Sequence, residues 1–172
     1  MAKSLILLRH AKSSWSRPGL DDFDRPLNRR GERAAHVIGL FLKQENVAPD
    51  LVLCSAAKRT LQTWEAIRPN LPQSTAFEET AAIYEAGIGQ LYKTLSEVSD
   101  NAGTILMIGH NPGLERLTAS LCQGQAGEQM ARVLEKFPTG ALALIDLRIE
   151  SWSAIAPGIG TLTRFVTPKE LV

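Results

Sequence analysis

Three places in the chain set a chemically capable residue directly after a short apolar run. Leu5-Ile6-Leu7-Leu8 leads into Arg9-His10. Leu51-Val52-Leu53-Cys54 leads into Ser55, with Arg59 four residues on, and Thr104-Ile105-Leu106-Met107-Ile108 leads into Gly109-His110. Arg25 lies on the segment between the first two. Near neutral pH an imidazole can serve as nucleophile, base or ligand. A guanidinium offers a planar fork of donors that fits a phosphate or carboxylate. Two histidines among three arginines therefore suit a dianion. The arginines could hold the non-bridging oxygens of a phosphoryl group while one histidine attacks phosphorus and the other donates to an equatorial oxygen. A zinc site is a poorer reading, because both histidines come with arginines and Cys54 belongs to a buried run.

These side chains meet only if the runs that precede them are neighbouring parallel strands. Four or five consecutive large apolar residues read as strands buried on both faces. Helical signals fall between them. Asn28 is an N-cap for a helix from Arg29 to Gln44, with Ala34, Ile38, Phe41 and Leu42 as its apolar stripe and His36 on the solvated side. Ser55 reads as the N-cap of a helix through Thr60, Leu61, Trp64 and Ile67, stopped by Pro69. Lys58 and Arg59 fall in its first turn, where positive charge opposes the macrodipole unless an anion lies nearby. Asn70 to Gly89 reads as mostly irregular, with a short strand near Ala76-Phe77. A helix carrying Leu91, Leu95 and Val98 ends near Asp100-Asn101. Pro112 suits the first turn of a helix bearing Leu114, Leu117 and Leu121. Gln123 to Gln129 reads as a polar connection, and 141–145 and 161–166 as late strands, antiparallel or at an edge. Strands alternating with helices predict an α/β fold with a mostly parallel central sheet flanked by helices. Ligands of such sheets bind at the carboxyl ends of the strands. The turn-rich stretch from Ser13 to Pro26 reads as a loop long enough to suggest function. Trp15 and Phe23 are expected to anchor it to the core, the other option being that they wall the approach to the crevice.

Composition sets the outer limits. A chain of 172 residues with 44% hydrophobic and 22% charged residues and a net charge of +1 reads as one ordinary globular domain, spanning 1–172. No basic excess points to nucleic acid or to a membrane surface. The first apolar run stops at Arg9, too soon for a secretory segment, and no stretch is long enough to cross a membrane. Cys54 and Cys122 lie far apart without a CxxC or zinc spacing, so two reduced thiols and a cytoplasmic location are expected.

Taken together, these motifs resemble those of the histidine phosphatase superfamily, and within it the small SixA-like phosphohistidine phosphatases. Leu8-Arg9-His10-Ala11 resembles the signature Arg-His-Gly, with alanine where the wider family usually has glycine. Asp24-Arg25-Pro26-Leu27-Asn28-Arg29-Arg30-Gly31 resembles the Asp-x-x-Arg-Pro-Leu-Thr-x-x-Gly stretch of the SixA-like branch, apart from the spacing of the acid. Cys54-Ser55-Ala56-Ala57-Lys58-Arg59-Thr60 is similar to the Ser-x-x-x-Arg helix start, and Gly109-His110-Asn111-Pro112 to the second histidine motif. The resemblance runs from about Leu5 to Val166. It implies a three-layer, phosphoglycerate mutase-like sandwich with little or no lid insertion. It also implies a phosphatase without metal or cofactor, whose nucleophile is His10, with Arg9, Arg59 and His110 on the phosphoryl group and Arg25 added from the SixA-like pattern. Larger relatives carry a carboxylic acid on an inserted segment. Here that region is short, and Glu79 and Glu85 are the candidates for a general acid. An imidazole leaves readily with little acid assistance, so the short segment leans toward a phosphoramidate or otherwise activated substrate, and a small lid leaves the crevice open to a phosphohistidine on a protein. The alternatives are a phosphatase of small phosphate esters, a phosphoglycerate-type mutase, or a phosphate-binding module without turnover. The last has no use for an attacking imidazole.

Overall fold

A computed structural model describes residues 2–172. Its centre is a six-stranded sheet in the order β3-β2-β4-β1-β5-β6. The strands are β1 (Lys3–Arg9), β2 (Leu51–Ser55), β3 (Ala76–Thr80), β4 (Thr104–Gly109), β5 (Leu142–Leu147) and β6 (Gly160–Val166). The first four run parallel to one another; β5 is antiparallel to β1, and β6 to β5. The fold is α/β with a mostly parallel sheet, as the alternating apolar runs predict.

The continuous apolar strands are explained by cores on both faces. Because side chains alternate along a strand, Leu5 and Leu7 enter one core with Leu53, Ile105 and Met107, while Ile6 and Leu8 enter the other with Val52, Leu106 and Ile108. The second core is closed by α1 (Arg29–Gln44), through Ile38, Phe41 and Leu42, and by α2 (Lys58–Ile67), through Trp64 and Ile67. The first is closed by α3 (Ile88–Ser96), α4 (Gly113–Leu121) and α5 (Glu128–Glu135). A last turn, α6 (Pro168–Leu171), follows β6. Among the described residues no helix is long and apolar enough to cross a membrane.

Asn28 caps α1, its side chain accepting from Gly31 N at 2.8 Å, and His36 is exposed. Two expectations are corrected. Ser55 does not cap α2. It ends β2, and α2 begins at Lys58 with Ala57 at the cap position and no side-chain cap bond. The short strand expected near Ala76-Phe77 is present as the edge strand β3, which runs on to Thr80 and is followed by a 3-10 turn at Ala81–Ile83. That strand is hard to read because four of its five residues are exposed, so no apolar alternation marks it. Helix α5 occupies a region read as a polar connection at its start. Only Met130 and Val133 of its eight residues are buried, too thin a stripe to recognise.

Candidate active site

The parallel register sets the histidines side by side. Leu8 pairs with Ile108 and Arg9 with Gly109, and Cys54 pairs with Ile108 from the other side, so β1, β4 and β2 end together. The ladder continues one step further, His10 N donating to Gly109 O at 3.0 Å. The His10 and His110 rings lie 5.3 Å apart, centroid to centroid. They share a cavity of about 520 Å³ with Arg9, Arg25, Arg59, Glu85 and Asn111. The residues predicted for the dianion site are therefore together at the carboxyl ends of the strands.

The hydrogen bonds define the tautomers. His10 Nδ1 lies 2.7 Å from Ala11 O, which can only accept, so Nδ1 carries the proton and Nε2 is left with its lone pair. Arg59 Nε donates to that Nε2 at 3.3 Å. Burial, followed by the charges of Arg59, Arg9 and Arg25, pushes the His10 pKa down to about 4 against the opposing Ala11 bond. His10 is thus a neutral imidazole at neutral pH, with its free nitrogen toward Arg59. The second guanidinium nitrogen of Arg59 lies 3.3 Å from His110 Nδ1, leaving His110 Nε2 to donate to Ser55 Oγ at 2.7 Å. Burial, then His10 and Arg59, lower the His110 pKa to about 3. Ser55, misread as a cap, is in fact the partner that orients the second histidine.

Arg59 is 6% exposed although it sits in the first turn of a helix. Thr63 Oγ1 donates to Arg59 O and accepts from Ala11 N, joining this turn to the residue after His10. The anion that offsets its position is Asp22. Arg59 donates to Asp22 O at 2.7 Å and to Asp22 Oδ2 at 3.0 Å, Arg25 Nε donates to Oδ1 at 3.0 Å, and Tyr84 Oη donates to Oδ2 at 2.6 Å. The Tyr84 bond, with Arg59 and Arg25, holds the Asp22 carboxyl down at about 2 despite the opposing cost of burial. Tyr84 moves the other way, to about 12, through burial and then its bond to Asp22. Neither residue was singled out in the sequence. Asp22 had a signal: it stands three residues before Arg25, which is the Asp-x-x-Arg spacing, whereas Asp24 was matched to that motif instead. Tyr84 had none, lying in the stretch read as irregular.

The loop that carries Asp22 and Arg25 is fastened to the strand end at Lys12. Asn28 N donates to Lys12 O, and a Cβ at Gly31 would stand 2.0 Å from the same oxygen, so only glycine lets α1 pass this close. Trp15 and Phe23 do not anchor the loop in the core. Trp15 is 76% exposed, lines the cavity and lies with its ring centroid 3.4 Å from Arg25 Cζ, while Phe23 packs edge-on against Tyr84. The polar partners Arg25 and Asp22 hold the loop down, leaving the aromatics at the rim. Of the two candidate acids, Glu85 lines the cavity and Glu79 does not. Glu79 pairs with Cys54 on the exposed edge strand, and the chain must still pass through the 81–83 turn before it reaches the crevice. Arg9 donates to Phe137 O at 2.9 Å, while its Nε is buried without a partner. Cys54 and Cys122 are free, buried thiols. Among the described residues, no group of three or more His, Cys, Asp or Glu is arranged to hold a metal ion.

A profile of the histidine phosphatase superfamily, branch 1, matches residues 5–141. The chain belongs to the histidine phosphatase superfamily. With this membership the protein is a hydrolase of the phosphatase type. An uncharacterised protein of Mycobacterium tuberculosis is 35% identical over 165 residues, covering 94% of this chain and all of the relative. Two solved structures share the fold over 98% of this chain. A protein assigned as the phosphohistidine phosphatase SixA of Agrobacterium tumefaciens is 28% identical, with a TM-score of 0.81 and 99% of it covered. A protein assigned the same way from Nakamurella multipartitia is 26% identical, with a TM-score of 0.85 and 97% of it covered. This histidine phosphatase has the mixed sheet of those structures, as the motif resemblance implied.

Proposed function

We propose that this histidine phosphatase removes the phosphoryl group from phosphohistidine on a protein, by way of a phosphohistidine on His10. The observation that carries the reading is the neutral His10, with its Nε2 lone pair turned to Arg59 beside a second histidine and further guanidinium groups. In the first step Nε2 attacks phosphorus, and the substrate's P–N bond breaks as the imidazole departs with the electron pair. A substrate ring already protonated on its other nitrogen leaves as a neutral imidazole, so no strong acid is needed. In the second step water attacks the His10 phosphoryl group. The N–P bond returns its pair to Nε2, phosphate leaves and the water proton passes to phosphate or solvent.

Arg9, Arg25 and Arg59 line the cavity and hold the phosphoryl oxygens. Proximity of that dianion favours a proton on His110, which can then donate as charge builds on the oxygens. Asp22, ionised at neutral pH, orients Arg25 and Arg59 and is not a proton donor. Glu85, at the mouth, is the remaining candidate to protonate a poorer leaving group. The short stretch between β3 and α3, read as a minimal lid on a single domain, leaves room for a macromolecular substrate. Phosphohistidine is also the substrate in the name of the two solved structures assigned as SixA. Two buried free thiols suit a reducing compartment such as the cytoplasm. The test compares kcat/KM for a phosphohistidine peptide with a panel of sugar and nucleotide phosphates. Preference for the phosphoramidate supports the proposal, and preference for one ester would overturn the substrate class.

A further inference from the structure

Beside the phosphoryl cavity lies a second groove, of about 450 Å³, whose rim carries Lys12, Arg30, Lys136 and Lys169 over a floor that includes Pro138 and Thr139. No acidic residue lines it. All four cations are exposed, and among the described residues none of them is in an ion pair. Glu170, next to Lys169 in the chain, is already engaged at the groove's edge: its carboxylate pairs with Arg132 and accepts from the backbone N and Oγ1 of Thr167, a lining residue. On a chain of net charge +1 such a concentration is a local arrangement and not a consequence of composition.

The groove is built from four separate segments, and the backbone fixes their relation to the catalytic strand. The Lys12 carbonyl receives Asn28 N and is passed closely by Gly31, which places Arg30 against the residues following His10. Gly140 N donates to both Arg9 O and His10 O, which holds the Pro138-Thr139 turn at the end of β1. A Cβ at Gly140 would stand 2.6 Å from Pro168 Cγ, so the first turn of α6 sits hard against the same place. Lys12 and Thr139 line both depressions, so the groove adjoins the phosphoryl cavity.

We propose that this groove binds an acidic stretch of the phosphorylated protein, adjacent in its chain to the side chain that enters the cavity. The proposal rests on the protein-phosphatase reading for its substrate. Cations from four segments around an open groove suit several carboxylates on one side of an extended chain, which recur every second residue at roughly 7 Å, better than they suit one compact anion. Exposed charge pairs contribute little individually and are weakened by salt, so the groove acts through its number of charges and by steering encounter.

The groove can be measured without turnover. Fluorescence anisotropy would follow a labelled, unphosphorylated peptide rich in Asp and Glu, and its Asn/Gln analogue, binding to the full chain and to the triple variant Arg30→Gln/Lys136→Gln/Lys169→Gln. Lys12 is kept because it also lines the catalytic cavity. At low salt the acidic peptide should bind the unaltered protein about tenfold more tightly than the amide peptide, and the triple variant should lose that preference. Turnover of a small phosphoryl donor should be equal in the two proteins, which shows that the variant folds. Equal binding of the two peptides, survival of the preference in the triple variant, or tighter binding of an oligonucleotide of equal charge would each overturn the proposal. A protein that selects the acidic peptide but hydrolyses no phosphohistidine peptide keeps the groove and removes the protein-phosphatase reading.

Discussion

Protonating His10 should destabilise the fold, and the size of the effect follows from where the ring is held. The side chain is 5% exposed, and its pKa is lowered from an ordinary value of 6.5 to about 4, burial being the largest cause. The unfolded chain therefore takes up a proton at a pH where the folded one refuses it, so stability is intact above pH 6.5 and falls as the pH drops toward 4. For His10 alone the linkage removes about 2 kcal/mol between pH 7 and pH 5. His110, also lowered, titrates in the same direction and adds to the loss. Asp22, held near 2, contributes only at lower pH. Urea unfolding of the wild type and His10→Gln at pH 7 and pH 5 isolates the histidine. The wild type should lose about 2 kcal/mol more than the variant over this interval. Equal losses would mean that His10 titrates normally in the folded protein, and the argument for a neutral nucleophile would fail with it.

The other predictions concern the groups around that ring. Ser55→Ala removes the acceptor for His110 Nε2, and kcat/KM should fall about tenfold with little change in thermal stability. A normal rate in steady-state kinetics would show that His110 needs no such partner. Arg59→Lys keeps the charge but loses the fork that reaches His10, His110 and Asp22 together, so kcat/KM should drop about a hundredfold. Recovery to within a few-fold of wild type would reduce Arg59 to a point charge. Gly31→Ala sets a methyl group against Lys12 O and should cost about 3 kcal/mol, read as a fall in Tm of about 10 °C by calorimetry. An unchanged Tm would show that α1 can withdraw from the strand end freely.

Much of the architecture was legible because burial on both sheet faces leaves a plain record. The runs before Arg9, Ser55 and Gly109 are continuous and apolar, and helix α1 announces both its cap at Asn28 and its end at Gln44. What escaped was held by polar contacts or lay at an edge. The full length of β3 beyond Ala76-Phe77 is recruited by backbone pairing with β2 while its side chains stay exposed, and α5 buries too few residues to show a period. At the candidate site, the convergence of Arg9, His10, Arg59 and His110 in one cavity was legible because each ends or follows a strand or opens a helix. Tyr84 reaches Asp22 from an irregular turn, and no local pattern marks such a contact. Ser55 was noticed for the wrong reason, since a serine after a strand serves equally well as a cap or as a partner for a distant imidazole.

The central claim is that His10 itself carries the phosphoryl group. Wild type and His10→Ala should be exposed to a small reactive phosphoryl donor, quenched in alkali, where phosphohistidine survives, and mapped by mass spectrometry. A phosphoryl group on His10 in the wild type, absent from the variant together with turnover, is the predicted result. Phosphorylation of His110 instead, or near-normal turnover in His10→Ala, would contradict the account.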